Sequence, residues 1–181
     1  MTSGFIVFGL ESRADLKISR CRHAMRPMIK TIAITITLLD QFTKWLVCRN
    51  FGATDFVTVI PGFFSLRRVL NFGAAWGMLS GQRILLVAVS VAMLVLLWCN
   101  RHELRETGPS CRVGIGLLTG GIIGNLIDRV KLGYVVDFLD FHMMDIYVFP
   151  TFNVADSAIF LGIVLYFLHA FLSKKRSGNP C

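Results

Sequence analysis

Residues 120–156, GGIIGNLIDRVKLGYVVDFLDFHMMDIYVFPTFNVAD, decide the fold. The stretch leaves a glycine-rich apolar run and passes the basic residues Arg129 and Lys131. It then crosses a segment that mixes apolar and acidic positions, and enters a second apolar run after Pro150. A chain that joins two long apolar runs through so short a polar connection is turning round at a membrane surface. Asp128, Asp137 and Asp156 fall where those runs meet the connection.

The rest of the chain repeats the pattern. Of 181 residues 54% are hydrophobic, and the excess is gathered in four blocks near 29–49, 84–100, 113–128 and 153–172. A spanning helix needs about 20 mostly apolar residues. The third block is the shortest and is rich in glycine. The expected fold is membrane α-helical: four transmembrane helices with a small β-rich element at the outer face. Residues 29–172 form one integral membrane domain. Before it lies a basic N-terminal extension, 1–28, expected to be disordered, and after it a basic cytoplasmic tail, 173–181.

Charge placement orients the spans, because Lys and Arg mark cytoplasmic flanks. Arg13, Lys17, Arg20, Arg22, Arg26 and Lys30 precede the first block. Arg101, Arg105 and Arg112 lie between the second and third, and Lys174, Lys175 and Arg176 follow the fourth. The two other connections hold only Arg49, Arg67, Arg68, Arg83, Arg129 and Lys131. Both termini are therefore expected in the cytoplasm, with the 120–156 connection at the outer face of the inner membrane. The net charge of +8 then reflects topology and contact with anionic lipid. A nucleic-acid partner is not expected, since the basic residues flank lipid spans and form no folded patch.

The early apolar run at 5–10 is too short for a secretory signal, so the first span reads as an uncleaved anchor. Met1, Met25 and Met28 all stay open as the start. Cys21, Cys99, Cys111 and Cys181 fall on the cytoplasmic side, which leaves Cys48 without a disulfide partner at the outer face. There is no CxxC or HExxH, and the four histidines are scattered, so neither a metal nor another cofactor is expected.

Within the first span Asp40 and Lys44 stand at i and i+4 on one helix face. They either neutralise each other or support a polar site shared with other spans, and the two readings are compatible. In the first outer connection, FVTVI at 56–60 reads as a strand, Pro61-Gly62 as a turn and 63–70 as a returning strand. Asn71 and Gly73 follow in NFGAAWG, which is either a plain turn or a place of close backbone approach. Phe63, Phe64 and Trp76 dip into lipid or cover a site. The second span carries no internal charge and reads as scaffold.

In the third block Gly116, Gly120 and Gly124 repeat at small-xxx-small spacing and let a neighbouring helix pack closely. Gly121, Asn125 and Asp128 share a face. Asp128 either accepts a hydrogen bond from Asn125, pairs with an arginine, or takes part in chemistry. YVVDFLDF at 134–141 reads as a strand with Asp137 on one face, beside Val135, Leu139 and Phe141. An acid among such neighbours is pushed toward its neutral form by desolvation. Asp140, on the other face, and Asp145 read as solvated surface acids. With Asn153 as N-cap, Asp156 is the third helical residue, in capping-box spacing. Two carboxylates in such different surroundings are the pattern of an acid/base pair.

These residues together resemble the lipoprotein signal peptidase family, also called signal peptidase II or prolipoprotein signal peptidase. DQFTK at 40–44, NFGAAWG at 71–77, GGIIGNLIDR at 120–129, VVDF at 135–138 and FNVAD at 152–156 occur in family order. The resemblance covers roughly 29–172. It implies a metal-free aspartic endopeptidase that removes signal peptides from bacterial prolipoproteins, cutting before a diacylglyceryl-modified cysteine. Carried over by motif, the catalytic residues are Asp137 and Asp156. The supporting or substrate-binding positions are Asp40, Lys44, Asn71, Gly73, Gly121, Asn125, Asp128, Arg129, Asn153 and Ala155. The partners implied are diacylglyceryl-prolipoproteins and membrane lipid, with the enzyme itself a monomer.

Two other classes would use some of the same features. A proton-coupled transporter also carries intramembrane acids, but near the midplane and with repeat symmetry; here the chief acids sit at span ends and no repeat is present. A non-catalytic assembly subunit would use the glycine-rich span and leave the clustered carboxylates unexplained.

Overall fold

The computed structural model describes residues 13–52, 54–143, 146–147 and 149–177, with side chains within 28–173 other than 53, 102, 105–106 and 143–148. The first helix, α1 (Arg13–Asn50), is followed by β1 (Phe56–Ile60), β2 (Phe64–Asn71) and a single 3-10 turn at Ala75–Gly77. Helices α2 (Arg83–Cys99), α3 (Arg101–Glu106) and α4 (Pro109–Lys131) come next. The strands β3 (Val135–Met143) and β4 (Ile146–Tyr147) and the last helix, α5 (Val154–Ser177), complete the chain.

Among the described residues three helical segments are long and apolar enough to cross a membrane: Met28–Asn50, Pro109–Lys131 and Val154–Ser173. A fourth apolar helix, α2, has 17 residues, or about 25 Å at the usual rise, against a hydrocarbon core of about 30 Å. The four apolar blocks are thus four helices, with the short one second rather than third. α4 reaches 23 residues because Pro109 suits a first helical position and Arg129 and Lys131 suit a last turn, where cations meet the negative end of the helix dipole.

Residues 13–28 differ from the disordered extension expected of them, since α1 begins at Arg13. Between 13 and 26 the sequence has no Gly or Pro and is rich in Arg, Ala, Leu, Lys and Met. Such residues favour helix on their own account, and Pro27, which lies inside α1, removes one backbone hydrogen bond between them and the span. Residues 1–12 of that extension, 178–181 of the tail, and Asp145 lie outside the described residues.

α4 is the central helix, packed against α1, α2 and α5. Its glycines set how closely two of those neighbours approach. A Cβ on Gly120 would sit 2.7 Å from the carbonyl oxygen of Ala33 in α1, and one on Gly121 would overlap the carbonyl of Ala155 in α5. α2, by contrast, buries no residue, and Ile84 is 86% exposed. In a chain of this composition that surface faces lipid.

The four strands form one antiparallel sheet in the order β1-β2-β3-β4. Leu66 pairs with Leu139, but the next pair in register is Val69 with Asp137, so β2 holds one extra residue in a bulge. Such a bulge re-aims the side chains beyond it. It leaves Asn71 paired with Val135, on the face that Asp137 occupies. Behind the sheet a small apolar core of Val47, Val136 and Phe138, with Phe51, Leu66 and Val154 against it, fixes the strands to the end of α1.

Candidate active site

Two layers of polar side chains meet where α1, α4, β3 and the start of α5 converge. The lower layer is built on Lys44, 3% exposed. Its Nζ lies 2.9 Å from both Asp40 Oδ2 and Asp128 Oδ2, and it donates to Asn125 Oδ1 at 2.9 Å. An ammonium has three hydrogens, and here each has an acceptor. The Asp40–Lys44 pair expected from helix spacing is therefore real and also reaches beyond its own helix.

The two carboxylates bound to Lys44 hold other elements in place. Asp40 Oδ1 accepts the backbone N–H of Ala155 at 2.9 Å, in the first turn of α5. An anion there satisfies one of the unpaired N–H groups of the helix start. Gly124 leaves room for it, since a Cβ at that position would lie 2.6 Å from Asp40 Oδ2. Asp128 accepts Gln41 Nε2 at 2.9 Å and the Val136 backbone N–H at 3.2 Å, which ties α4 to β3. Its charge partner is Lys44, not an arginine, and Asn125 spends its amide elsewhere.

The upper layer holds Asp137 and Asp156. Asp137 is 1% exposed; Asn71 Nδ2 donates to its Oδ2 at 2.9 Å and Asn153 Nδ2 to its Oδ1 at 2.7 Å. Asp156 is only partly buried. Asn125 Nδ2 donates to its Oδ1 at 2.7 Å, and the backbone N–H of Asn153 donates to its Oδ2 at 3.2 Å. In return the Asp156 N–H donates to Asn153 Oδ1 at 2.9 Å, so the reciprocal cap expected from the spacing is formed. Asn153, wholly buried, thus touches both acids. Its Nδ2 also lies 3.2 Å from Asn125 Oδ1, linking the upper layer to Lys44.

Burial on the strand pushes the Asp137 carboxyl up to about 7, and the neighbouring charge of Asp156 adds to the rise; the amides of Asn71 and Asn153 and the charge of Lys44 oppose it. The expected desolvation of this acid is therefore present. Its cause is that β3 is covered on both faces, with Val135, Val136 and Phe138 also buried.

The loop that carries Asn71 and Gly73 is tightly wound. Asn71 Oδ1 accepts the Gly73 N–H at 2.9 Å, and Arg129 Nη2 donates to the Gly73 carbonyl at 3.3 Å. A Cβ on Gly73 would meet the Met78 carbonyl at 2.5 Å, so this is a close backbone approach and not a plain turn. Trp76 and Leu79 have φ of +54°, a costly backbone region for bulky residues. Trp76 is 66% exposed, and its ring meets Phe149 edge-on at 6.1 Å, across the gap to the segment leading into α5.

Asp140 corrects the sequence reading. It is 8% exposed, not solvated, with Arg67 Nε 2.8 Å from its Oδ2 and Thr151 Oγ1 donating to its Oδ1 at 3.3 Å. Alternation along a strand separates its faces but does not say that one of them meets water, and here loop 149–153 covers the second face. Gln41, which binds Asp128 and the Gly124 carbonyl, was also missed as a supporting residue. A polar side chain next to Asp40 inside a span was the signal for it.

The family described as signal peptidase (SPase) II matches residues 32–172 of this chain. The lipoprotein signal peptidase of Symbiobacterium thermophilum is 44% identical over 147 residues, covering 80% of this chain and 95% of that protein. That of Geobacillus kaustophilus is 40% identical over 149 residues, covering 82% and 96%. A solved structure described as a bacterial membrane enzyme superimposes with a TM-score of 0.78 at 33% identity, over 86% of this chain and 94% of the other. Fold and comparisons together define a multi-pass membrane peptidase. The chain belongs to the signal peptidase II family.

Proposed function

We propose that this protein removes the signal peptides of bacterial prolipoproteins as an aspartic endopeptidase, cutting before the diacylglyceryl-modified cysteine with Asp137 and Asp156. The observation that carries the proposal is the sharing of Asn153: its side chain holds Asp137 and its backbone N–H holds Asp156. Fixed through one residue, the two carboxylates lie near enough for the charge of Asp156 to raise the pKa of Asp137, the arrangement of a pair that shares one water.

Each acid has its own task. Ionised Asp156 takes a proton from the water, whose oxygen attacks the scissile carbonyl carbon. Asp137, protonated, gives its proton to the carbonyl oxygen, and a neutral tetrahedral intermediate forms. On collapse the C–N bond breaks, Asp156 passes its proton to the departing nitrogen, and Asp137 recovers one from the intermediate's hydroxyl. Water is consumed and both carboxyls return to their starting states. An acid held near 7 is matched to this duty at neutral pH. Asn71, Asn125 and Asn153 orient the pair, while Lys44 with Asp40 and Asp128 fixes the elements that carry it.

The charge asymmetry of the connections supports cytoplasmic termini and a site at the outer face of the inner membrane. There a signal helix and two acyl chains remain in lipid while only the scissile bond reaches the carboxylates. The Trp76–Phe149 contact supports an apolar cover over the cleft that excludes bulk water. No metal has a part in this scheme, and one copy of the chain supplies every residue it needs.

The deciding assay uses purified protein and a synthetic diacylglyceryl prolipoprotein peptide, with products read by mass spectrometry. Cleavage before the modified cysteine that survives a chelator is the expected result. Loss on chelation with recovery on added zinc overturns the aspartic mechanism.

A further inference from the structure

The segment that leads into α5 is tied to β3 by its backbone at one point. Phe152 forms an isolated antiparallel bridge with Leu139. Its N–H donates to the Leu139 carbonyl at 3.1 Å, and its own carbonyl accepts the N–H groups of Leu139 and Phe138 at 2.8 and 3.0 Å. Thr151 precedes that bridge, and Asn153 follows it where the chain turns into the helix. The two side chains reach different acids of β3. Thr151 meets Asp140, and Asn153 meets Asp137.

A single bridge specifies register weakly. A slip of one residue would carry Asn153 about 3.3 Å along the strand, farther than the 2.7 Å bond that its amide makes to Asp137. The Phe152 ring stacks on Phe141 at 5.6 Å, but apolar contact is non-directional and tolerates sliding.

The directional contact lies on the Thr151 side. With Leu139 facing Phe152, Asp140 stands opposite Thr151, and a slip would part them. Thr151 Oγ1 donates to Asp140 Oδ1 at 3.3 Å, while Arg67 Nη2 donates to Thr151 Oγ1 at 3.3 Å and to Asp140 Oδ1 at 3.4 Å. Each bond is long, but together they close a ring across β2, β3 and the segment. The charge of Arg67 holds that ring together, with its Nε 2.8 Å from Asp140 Oδ2. A half-buried ion pair adds little net stability. What this one adds is a fixed partner for Thr151.

We propose that Asp140 is a positioning residue of the peptidase: through Thr151 it sets the register of residues 151–153 and so keeps the Asn153 amide on Asp137. The proposal rests on the assignment of Asp137 and Asp156 as the catalytic pair. Asp140 itself takes no part in proton transfer.

The test is the pH profile of kcat for cleavage of a diacylglyceryl prolipoprotein peptide by purified, folded protein. Asp140→Asn should lower kcat at its optimum about tenfold, the scale of one charge-assisted hydrogen bond, and leave KM unchanged. Its alkaline limb should move to higher pH, as in Asn153→Ala, because Asp137 loses an amide that favours its ionised form. The sign is diagnostic, since loss of a nearby negative charge would by itself lower the Asp137 pKa and move the limb the other way. Thr151→Val, close in shape and lacking only the hydroxyl contact, should act in the same direction, and it keeps the test alive if Asp140→Asn fails to fold. Added to Asn153→Ala, Asp140→Asn should move the limb no further, since both act through one contact. His142 Nδ1 stands 4.0 Å from Asp140 Oδ2, so His142→Gln is the control and should leave the limb in place. A lower Tm with an unmoved limb in Asp140→Asn and Thr151→Val would make the cluster structural only. A shift to lower pH, a further shift in the double variant, or a shift in His142→Gln would give the effect to another cause, and each of these results overturns the proposal. If Asn153→Ala itself leaves the limb in place, the assignment of Asp137 as the acid fails, and the proposal falls with it.

Discussion

The side-chain amide of Asn153 donates to Asp137 Oδ1 across 2.7 Å, and this bond favours the ionised carboxylate. Removing it in Asn153→Ala should raise the Asp137 pKa above its value of about 7. If Asp137 acts as the acid, activity is lost as pH rises through that pKa. The alkaline limb of the kcat profile should therefore move to higher pH in the variant. The lost N-cap should also cost about 1 kcal/mol of stability. A lower Tm with an unmoved limb would leave Asn153 as a helix cap and nothing more.

Asp137→Asn and Asp156→Asn keep the side-chain shape but cannot exchange the protons. Each should lose at least ~10²–10⁴-fold in single-turnover cleavage. The double variant should be little worse than either single one, because the pair acts as a unit. Binding of a diacylglyceryl peptide should persist, since its lipid and signal helix remain free to make their contacts.

Much of this site was legible because its determinants are local. The Asp40–Lys44 pair follows from helix spacing, the β1–β2 hairpin from Pro61-Gly62, and the cap of Asp156 on Asn153 from a three-residue interval. What was not legible depends on segments distant in sequence. Lys44 reaches Asp128 across 84 positions, and no local pattern selects it over Arg129. Asp140 alternates correctly along its strand, yet Arg67 and Thr151 cover it. The helical course of α1 over 13–28 rests on residues of good helix propensity rather than on any apolar signal, and it passes Pro27 on the way.

The raised pKa of Asp137 has a consequence for stability. A group whose folded pKa lies above its unfolded value favours the fold most below the unfolded pKa, here 3.8, and that advantage is lost as pH rises toward about 7. Across this window the wild-type protein should lose stability on the order of 4 kcal/mol from this one group, as an upper bound. Asp137→Asn cannot ionise, so its Tm relative to wild type should be higher at pH 8 than at pH 4. Thermal unfolding of both proteins in detergent at the two pH values is the measurement, and a constant difference would contradict the burial of this acid.

Asp128 is the acid whose role most needs separating from that of Asp137. Its carboxylate holds Lys44, Gln41 and the Val136 N–H, all structural partners. Asp128→Asn keeps an oxygen for the Val136 N–H but gives up the charge that balances Lys44. Breaking a buried ion pair from one side typically costs about 3–5 kcal/mol, moderated here because Asp40 still faces the ammonium. The variant should show a lower yield and Tm, yet its folded fraction should cleave within about tenfold of wild type, well short of the loss that general acid–base catalysis accounts for. Lys44→Met should be worse, because it leaves Asp40 and Asp128 buried without their shared cation. Adding Asp40→Asn and Asp128→Asn to Lys44→Met should recover part of that stability, since a neutral set carries no unpaired charge. Single-turnover cleavage on folded, monodisperse protein separates the two roles. Should folded Asp128→Asn be dead while Asp137→Asn cleaves normally, the catalytic pair would be Asp128 and Asp156, and Asp137 would be the residue that merely supports the fold.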